Sequence, residues 1–153
     1  MAIYATSQSA SYGKVYSSPG WARQKIVLPA IVAITTAMID NNNDEVGLFW
    51  VPKGFVVTNI TFNSTDIDGG TSMVWDVGDD GDEDRLMAAI TTGQAAGTSV
   101  ALAATGVLYK YTARTLIKAY VNTAAGTPAA GTIKVILEGF VDEDYSTTAL
   151  VAS

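Results

Sequence analysis

In the stretch GFVVTNITFN (54–63), Val56, Thr58, Ile60 and Phe62 fall on one face of a two-residue period, and Phe55, Val57, Asn59 and Thr61 on the other. That alternation predicts an antiparallel strand with one dry and one wet side. The same period runs through TLIKAYV (115–121) and GTIKVILEGFV (131–141). β-Branched and aromatic runs bounded by Gly, Asn, Asp or Pro extend the series. Strands are expected near 24–28, 30–39, 46–51, 54–63, 71–77, 85–91, 106–112, 114–122 and 131–141. No stretch holds a clear helical period, so the chain reads as all-β.

The connections refine this picture. Between the last two strands, NTAAGTPAAG (122–131) carries Gly126, Pro128 and Gly131, which predicts a hairpin with a long, exposed tip. Residues 91–106, TTGQAAGTSVALAATG, are small and fit neither period; a loop, a one-turn helix over 99–103 and a weak edge strand are all compatible with them. Short strands at 8–15-residue spacing, without βαβ alternation or a 20–50-residue repeat, imply an antiparallel β-sandwich of jelly-roll or Greek-key type.

At 153 residues and 16.0 kDa the chain is sized for one domain. The organisation expected is an extended N-terminal arm over 1–22, a sandwich over 23–145 and a C-terminal tail over 146–153. The arm is rich in Ser and lacks any period able to fold alone, a composition that also suits a disordered segment. Its aromatics Tyr4, Tyr12, Tyr16 and Trp21 supply large contact area at low entropic cost, as in segments that order on a partner. These four are the candidate inter-subunit contacts.

Cys and His are both absent, which removes thiolate nucleophiles, imidazole bases, common zinc sites and thiol switches. Net charge is −6, but six of the fifteen acids lie within Asp76–Asp84, and the other nine balance nine Lys and Arg. The basic residues are scattered singly, so no patch for nucleic acid is present. The apolar run IVLPAIVAITTAMI (26–39) is broken by Pro29 and is shorter than the ~20 residues a membrane helix needs. The N-terminus lacks the apolar core of a signal peptide, so a soluble product made in the cytoplasm is expected, with no membrane partner.

The acids concentrate in WDVGDDGDEDRL (75–86). Aligning Gly81 with the turn glycine of an EF-hand puts Asp76 and Asp80 at ligand positions, but Gly78 and Met87 occupy two others that need oxygen donors. A calcium site of another geometry, drawn from Asp79, Asp80, Asp82 and Asp84, stays open beside the plainer reading of a hydrated charged turn. A glycosidase pair needs carboxylates about 5–9 Å apart across a cleft, which neighbours in one turn do not provide. No G-x-S-x-G elbow occurs. No catalytic, cofactor-binding or metal-ligating residues are therefore expected, and the chain reads as a non-enzyme. Instead GDDGDED should join two strands as a wet tip, with Gly78 and Gly81 supplying positive φ, Trp75 in the core and Arg85 paired to one of the acids.

The succession VPKGFVVTNITF, WDVGDDGDEDRLMAA, GVLYKYTARTLIKAYV and AAGTPAAGTIKVIL, within about residues 25–141, resembles head decoration or cement proteins of tailed bacteriophages. Its most specific part is the string from Asp76 to Arg85. The resemblance implies a jelly-roll-like sandwich, often a homotrimer, on the capsid exterior with the major capsid protein as partner. It implies no cofactor and no catalytic residue. A tail, fibre or baseplate module that binds a host receptor or glycan is the alternative.

Overall fold

The computed structural model describes residues 25–142, and they form eight strands in two four-stranded antiparallel sheets. The strands are β1 (Ile26–Ile34), β2 (Glu45–Val51), β3 (Phe55–Ser64), β4 (Val74–Asp79), β5 (Asp82–Ile90), β6 (Gly97–Ser99), β7 (Thr115–Thr123) and β8 (Gly131–Val141). The helical pieces among the described residues are three single 3-10 turns, at 36–38, 92–94 and 104–106.

One sheet has the order β1-β8-β3-β6 and the other β2-β7-β4-β5. Antiparallel pairs therefore form between the first and last strands, the second and seventh, the third and sixth, and the fourth and fifth. The chain behaves as one long ribbon folded back at residues 80–81 and rolled into two layers. That is the eight-strand jelly roll, the sandwich type expected from the pattern. Only β4 and β5 are joined as a hairpin within one sheet; every other connection crosses between layers.

The rolled ribbon corrects several expectations. Residues 114–122 and 131–141 do not form a hairpin: β7 and β8 lie in different sheets, and 124–130 is the crossover between them. Nor is that segment a free tip, because the Ala125 amide donates to the Ile39 carbonyl, the Ala129 amide to Ile67, and Ala125 is buried. The two strands expected at 24–28 and 30–39 are one, β1, running straight through Pro29. Proline is tolerated because β1 is an edge strand, where one side needs no donors. Residues 35–39 leave it as a 3-10 turn. The expected strand at 106–112 is instead a turn followed by a short segment along β3, where Tyr111 donates to the Phe55 carbonyl and Val57 to that of Tyr109. Of the readings for 91–106, the weak edge strand is realised as the three residues of β6.

The clean alternation in β3 is also re-phased. Its pairing with β8 slips between Val57 and Asn59, so Phe55 and Val57 face the core before the bulge, while Ile60 and Phe62 face it afterwards. The core between the sheets gathers Phe49, Phe55, Phe62, Trp75, Met87, Ile117 and Leu137, with Trp75 fully buried as expected and its ring 6.1 Å from that of Phe62.

Candidate functional site

The β4–β5 hairpin is tighter than the acidic stretch suggested. Asp79 pairs with Asp82, so Asp80 and Gly81 alone make the turn, and most of GDDGDED is strand. Neither Gly78 nor Gly81 has positive φ. Gly78 is required for space: a Cβ there would collide with the backbone carbonyls of Asp82 and Glu83, which cross directly over it.

Strand periodicity then sorts the acids by face. Trp75, Val77 and Asp79 share the inner side of β4, and Asp79 is buried where the core reaches the hairpin end of the sandwich. Its Oδ2 accepts from Arg85 Nε at 2.6 Å, and its Oδ1 from the Gly81 amide at 2.9 Å. Asp79, with Asp82 behind it, raises the Arg85 guanidinium against the lowering effect of burial. The guanidinium stacks 4.1 Å above the Tyr109 ring, which meets Tyr111 edge-on at 4.9 Å. Burial, followed by the Asp79 charge, pushes the Tyr111 phenol far up. The expected Arg85 pairing is therefore present, as an inward clamp under the 104–111 loop.

Asp76, on the outer face, is buried too. β5 carries an extra residue opposite it, leaving Ala89 at φ 54°. The Ala89 amide donates to Asp76 Oδ1 at 2.7 Å, and Asn122 Nδ2 on β7 donates to Oδ2 at 2.6 Å. Asp76 thus holds a β-bulge and ties three strands together. The expected wet tip fails at Asp79, and Asp76 just before it is buried as well, because each carboxylate replaces a ladder or turn partner that the irregular backbone lacks.

Asp80 is exposed and, with Glu45, flanks the Lys118 ammonium, which lies 2.7 Å from Glu45 Oε2. Those two carboxylates raise Lys118 well above the usual lysine range. The triad is solvent-screened, so Lys118→Ala should cost less than about 1 kcal/mol; thermal melts shifted by more than roughly 4 °C would contradict this. The Asp82 carboxyl beside Asp84, then burial, then the charges of Asp82 and Asp76, raise the Asp84 carboxyl. With Asp76, Asp79 and Asp80 already engaged, no group of three or more metal-binding side chains is gathered among the described residues.

One further buried carboxylate, Asp68, has no counterpart in the sequence reading. Asp68, fully buried in the β3–β4 crossover, accepts the amides of Gly70, Ser72, Met73 and Thr127 at 2.9–3.0 Å. It joins that crossover to the one between β7 and β8. Burial alone would raise its carboxyl, but the four amides hold it far below the usual carboxylate range.

Hydrogen bonding therefore gives Asp68, Asp76 and Asp79 structural roles, while Asp80, Glu83 and Asp84 stay exposed. Also facing outward is a set of apolar residues on a Cys-free sandwich whose two described ends, Lys25 and Asp142, emerge at the same end as the hairpin. Large exposed hydrophobics are Val27, Ile31, Trp50, Val100, Val107, Leu108 and Ile136.

This sandwich occurs in phage capsids. The chain is similar to one in the capsid asymmetric unit of cyanophage Pam1, with a TM-score of 0.70 and 28% identity over 88% of this chain and 96% of that one. It is also similar to a chain in the capsid of Ralstonia phage GP4, with a TM-score of 0.66 and 23% identity over 88% and 96%. A third likeness is to the acidic stable capsid of Helicobacter pylori bacteriophage KHP30, with a TM-score of 0.52 and 14% identity over 79% and 94%. At these lower identities the last two show the fold alone. No protein-family model and no curated protein matches the chain. The likeness to phage capsid components expected from the sequence is thus present in three dimensions. The arm contacts expected at Tyr4, Tyr12, Tyr16 and Trp21 lie outside the described residues.

Proposed function

We propose that this chain is a structural protein of a tailed-phage virion that decorates and stabilises the capsid shell from outside, as a homotrimer contacting the major capsid protein. The observation that carries this reading is the match to the Pam1 capsid chain, which takes in nearly the whole of both chains. The Pam1 chain belongs to a capsid, which favours the head over a tail or fibre.

The internal chemistry supports a structural part. Asp76, Asp79 and Asp68 are engaged at a bulge, a turn and a crossover. Ile26 pairs with Gly139, so the two described ends, Lys25 and Asp142, leave from one end of the sandwich. From there the arm reaches adjacent capsid subunits while the sandwich stands above them. Several weak contacts on different subunits raise effective affinity without one large interface.

Deleting residues 1–22 is expected to leave the melting of the sandwich within a few degrees of the full chain while cutting retention on shells by at least tenfold in a co-sedimentation assay. Full retention without the arm would contradict its assigned role.

A further inference from the structure

The chain holds two Asp-Gly dipeptides, Asp68-Gly69 and Asp80-Gly81. In such a pair the glycine amide nitrogen is within reach of the aspartate side-chain carbon, and without a Cβ on the glycine nothing shields it. Ring closure between the two is a self-reaction open to any Asp-Gly pair. The fold decides it by how the two groups are held.

At Asp68-Gly69 both groups are locked. The carboxylate is fully buried and accepts four amides at 2.9–3.0 Å. The Gly69 amide donates to the Thr127 carbonyl at 3.0 Å. Reaction there requires the crossover to open first.

At Asp80-Gly81 neither lock is present. These two residues are the whole turn of the β4–β5 hairpin, since Asp79 pairs with Asp82. The Asp80 side chain is 79% exposed and Gly81 is exposed as well, so water reaches both. The Gly81 amide donates to the Asp79 carboxylate, 2.9 Å from Oδ1, while Arg85 Nε holds Oδ2 at 2.6 Å. A proton acceptor therefore already sits on the nitrogen that must lose its proton. On the other side the Asp80 carboxylate meets the Lys118 ammonium. That cation offsets the negative charge on the group under attack and stabilises the charge that builds on its oxygens.

We infer that Asp80-Gly81 is a site of spontaneous isomerisation to isoaspartate, assisted by Asp79 and Lys118, and that the fold protects Asp68-Gly69 from the same reaction. The Gly81 nitrogen bonds to Asp80 Cγ, and one carboxyl oxygen leaves as water. That water carries away the amide proton, passed through Asp79, and one proton from solvent. Water then opens the resulting succinimide. Breaking the bond from Gly81 N to Cγ restores aspartate. Breaking the bond to the Asp80 main-chain carbonyl carbon leaves the chain running through the β-carbon. Nothing is oxidised or reduced, and water is the sole co-reactant. The turn gains a main-chain carbon, and the carboxylate that faced Lys118 moves to the α-carbon.

The test keeps the full chain for weeks at neutral pH and body temperature, either folded or in denaturing urea. Peptide maps by electron-transfer mass spectrometry then separate isoaspartate from aspartate by their backbone fragments. In urea both pairs should isomerise. In the folded chain isoaspartate should accumulate at Asp80 roughly tenfold or more faster than at Asp68, which reacts only through opening. Intact mass should show the succinimide as a minor species lighter by one water, about 18 Da.

Asp80→Glu, whose ring needs a sixth member, should abolish the reaction at this turn. Lys118→Gln should slow it by up to about fivefold, the rate equivalent of an exposed ion pair. Asp79→Asn removes the proton acceptor and should slow it by about tenfold, whereas Arg85→Lys, which loosens the same clamp but keeps that acceptor, should not. No isoaspartate at Asp80 in folded protein, or equal amounts at the two pairs, would overturn the inference. A faster reaction in Lys118→Gln or Asp79→Asn would overturn the assistance assigned to that side chain. None of these outcomes bears on the proposed function, which rests on the capsid likeness.

Discussion

Replacing Asp68 by alanine is expected to lower the unfolding free energy by about 3–4 kcal/mol, because it strands four backbone amides that a single buried carboxylate now satisfies. For a chain of this size that corresponds to a fall in melting temperature of roughly 10 °C. The loss should be cooperative with the whole sandwich, since Asp68 secures two crossovers at once and the Gly69 amide reinforces the junction by donating to Thr127. Asp68→Asn keeps the shape but turns a carboxamide NH2 donor toward backbone N–H donors and removes the charge, so it should recover only part of the loss.

The sign of the pH effect follows from the lowered carboxyl. Asp68 binds its proton in the unfolded chain near pH 4 and only at much lower pH in the folded one. The stabilisation is therefore complete above about pH 4 and is lost as the pH falls below it. Denaturant melts from pH 7 down to pH 2 should show the native chain losing more stability than Asp68→Asn below pH 4. Parallel curves for the two proteins would contradict the role given to this carboxylate.

The second large effect is expected at Arg85. Arg85→Ala should cost about 3 kcal/mol, since it leaves the Asp79 carboxylate buried without its cation and removes the stack on Tyr109. Arg85→Lys retains a charge but loses the paired Nε and Nη2 contacts to Asp79 and the planar stack, and should fall between. The decisive comparison is a double-mutant cycle with Asp79→Ala. The double variant should be more stable than the sum of the two single losses predicts by at least 1 kcal/mol. Additive losses would mean that the two side chains act independently, and that the hairpin end is held by something else.

These two sites show what a one-dimensional reading can and cannot supply. Alternation in TLIKAYV and GTIKVILEGFV located β7 and β8, and Trp75 was correctly assigned to the core, because burial of one sheet face imposes a two-residue period. Pairing was misjudged because sequence neighbours are the usual strand partners, whereas in a rolled ribbon partners are placed symmetrically about the Asp80–Gly81 turn.

The turn itself had a signal. An Asp-Gly pair between apolar runs marks a two-residue hairpin, and the density of charge around it drew attention to chemistry instead. Continuing the period from Trp75 and Val77 would have placed Asp79 inside. Asp68 was less legible: D-G-G in IDGGTSMV suggests a turn, but its fourth amide comes from Thr127, 59 residues away. The bulges at Thr58 and Ala89 have no local signature that separates them from ordinary strand residues.

The exposed residues were equally hidden, because Val27 and Ile31 look like core residues until the outer face of β1 is seen to be uncovered among the described residues. Resemblance to head decoration proteins pointed to the particle, and the fold likeness to the Pam1 capsid chain agrees with it. Two acids of the stretch, Asp76 and Asp79, hold the scaffold together instead of forming a reactive site.

Imaging the intact virion at a resolution that traces strands tests the central claim most directly. The account predicts a jelly roll fitting residues 25–142 at repeated positions on the outer surface of the head, grouped in threes, with its hairpin end toward the shell. Density for this chain confined to the tail or fibres, or its absence from purified particles, would contradict it.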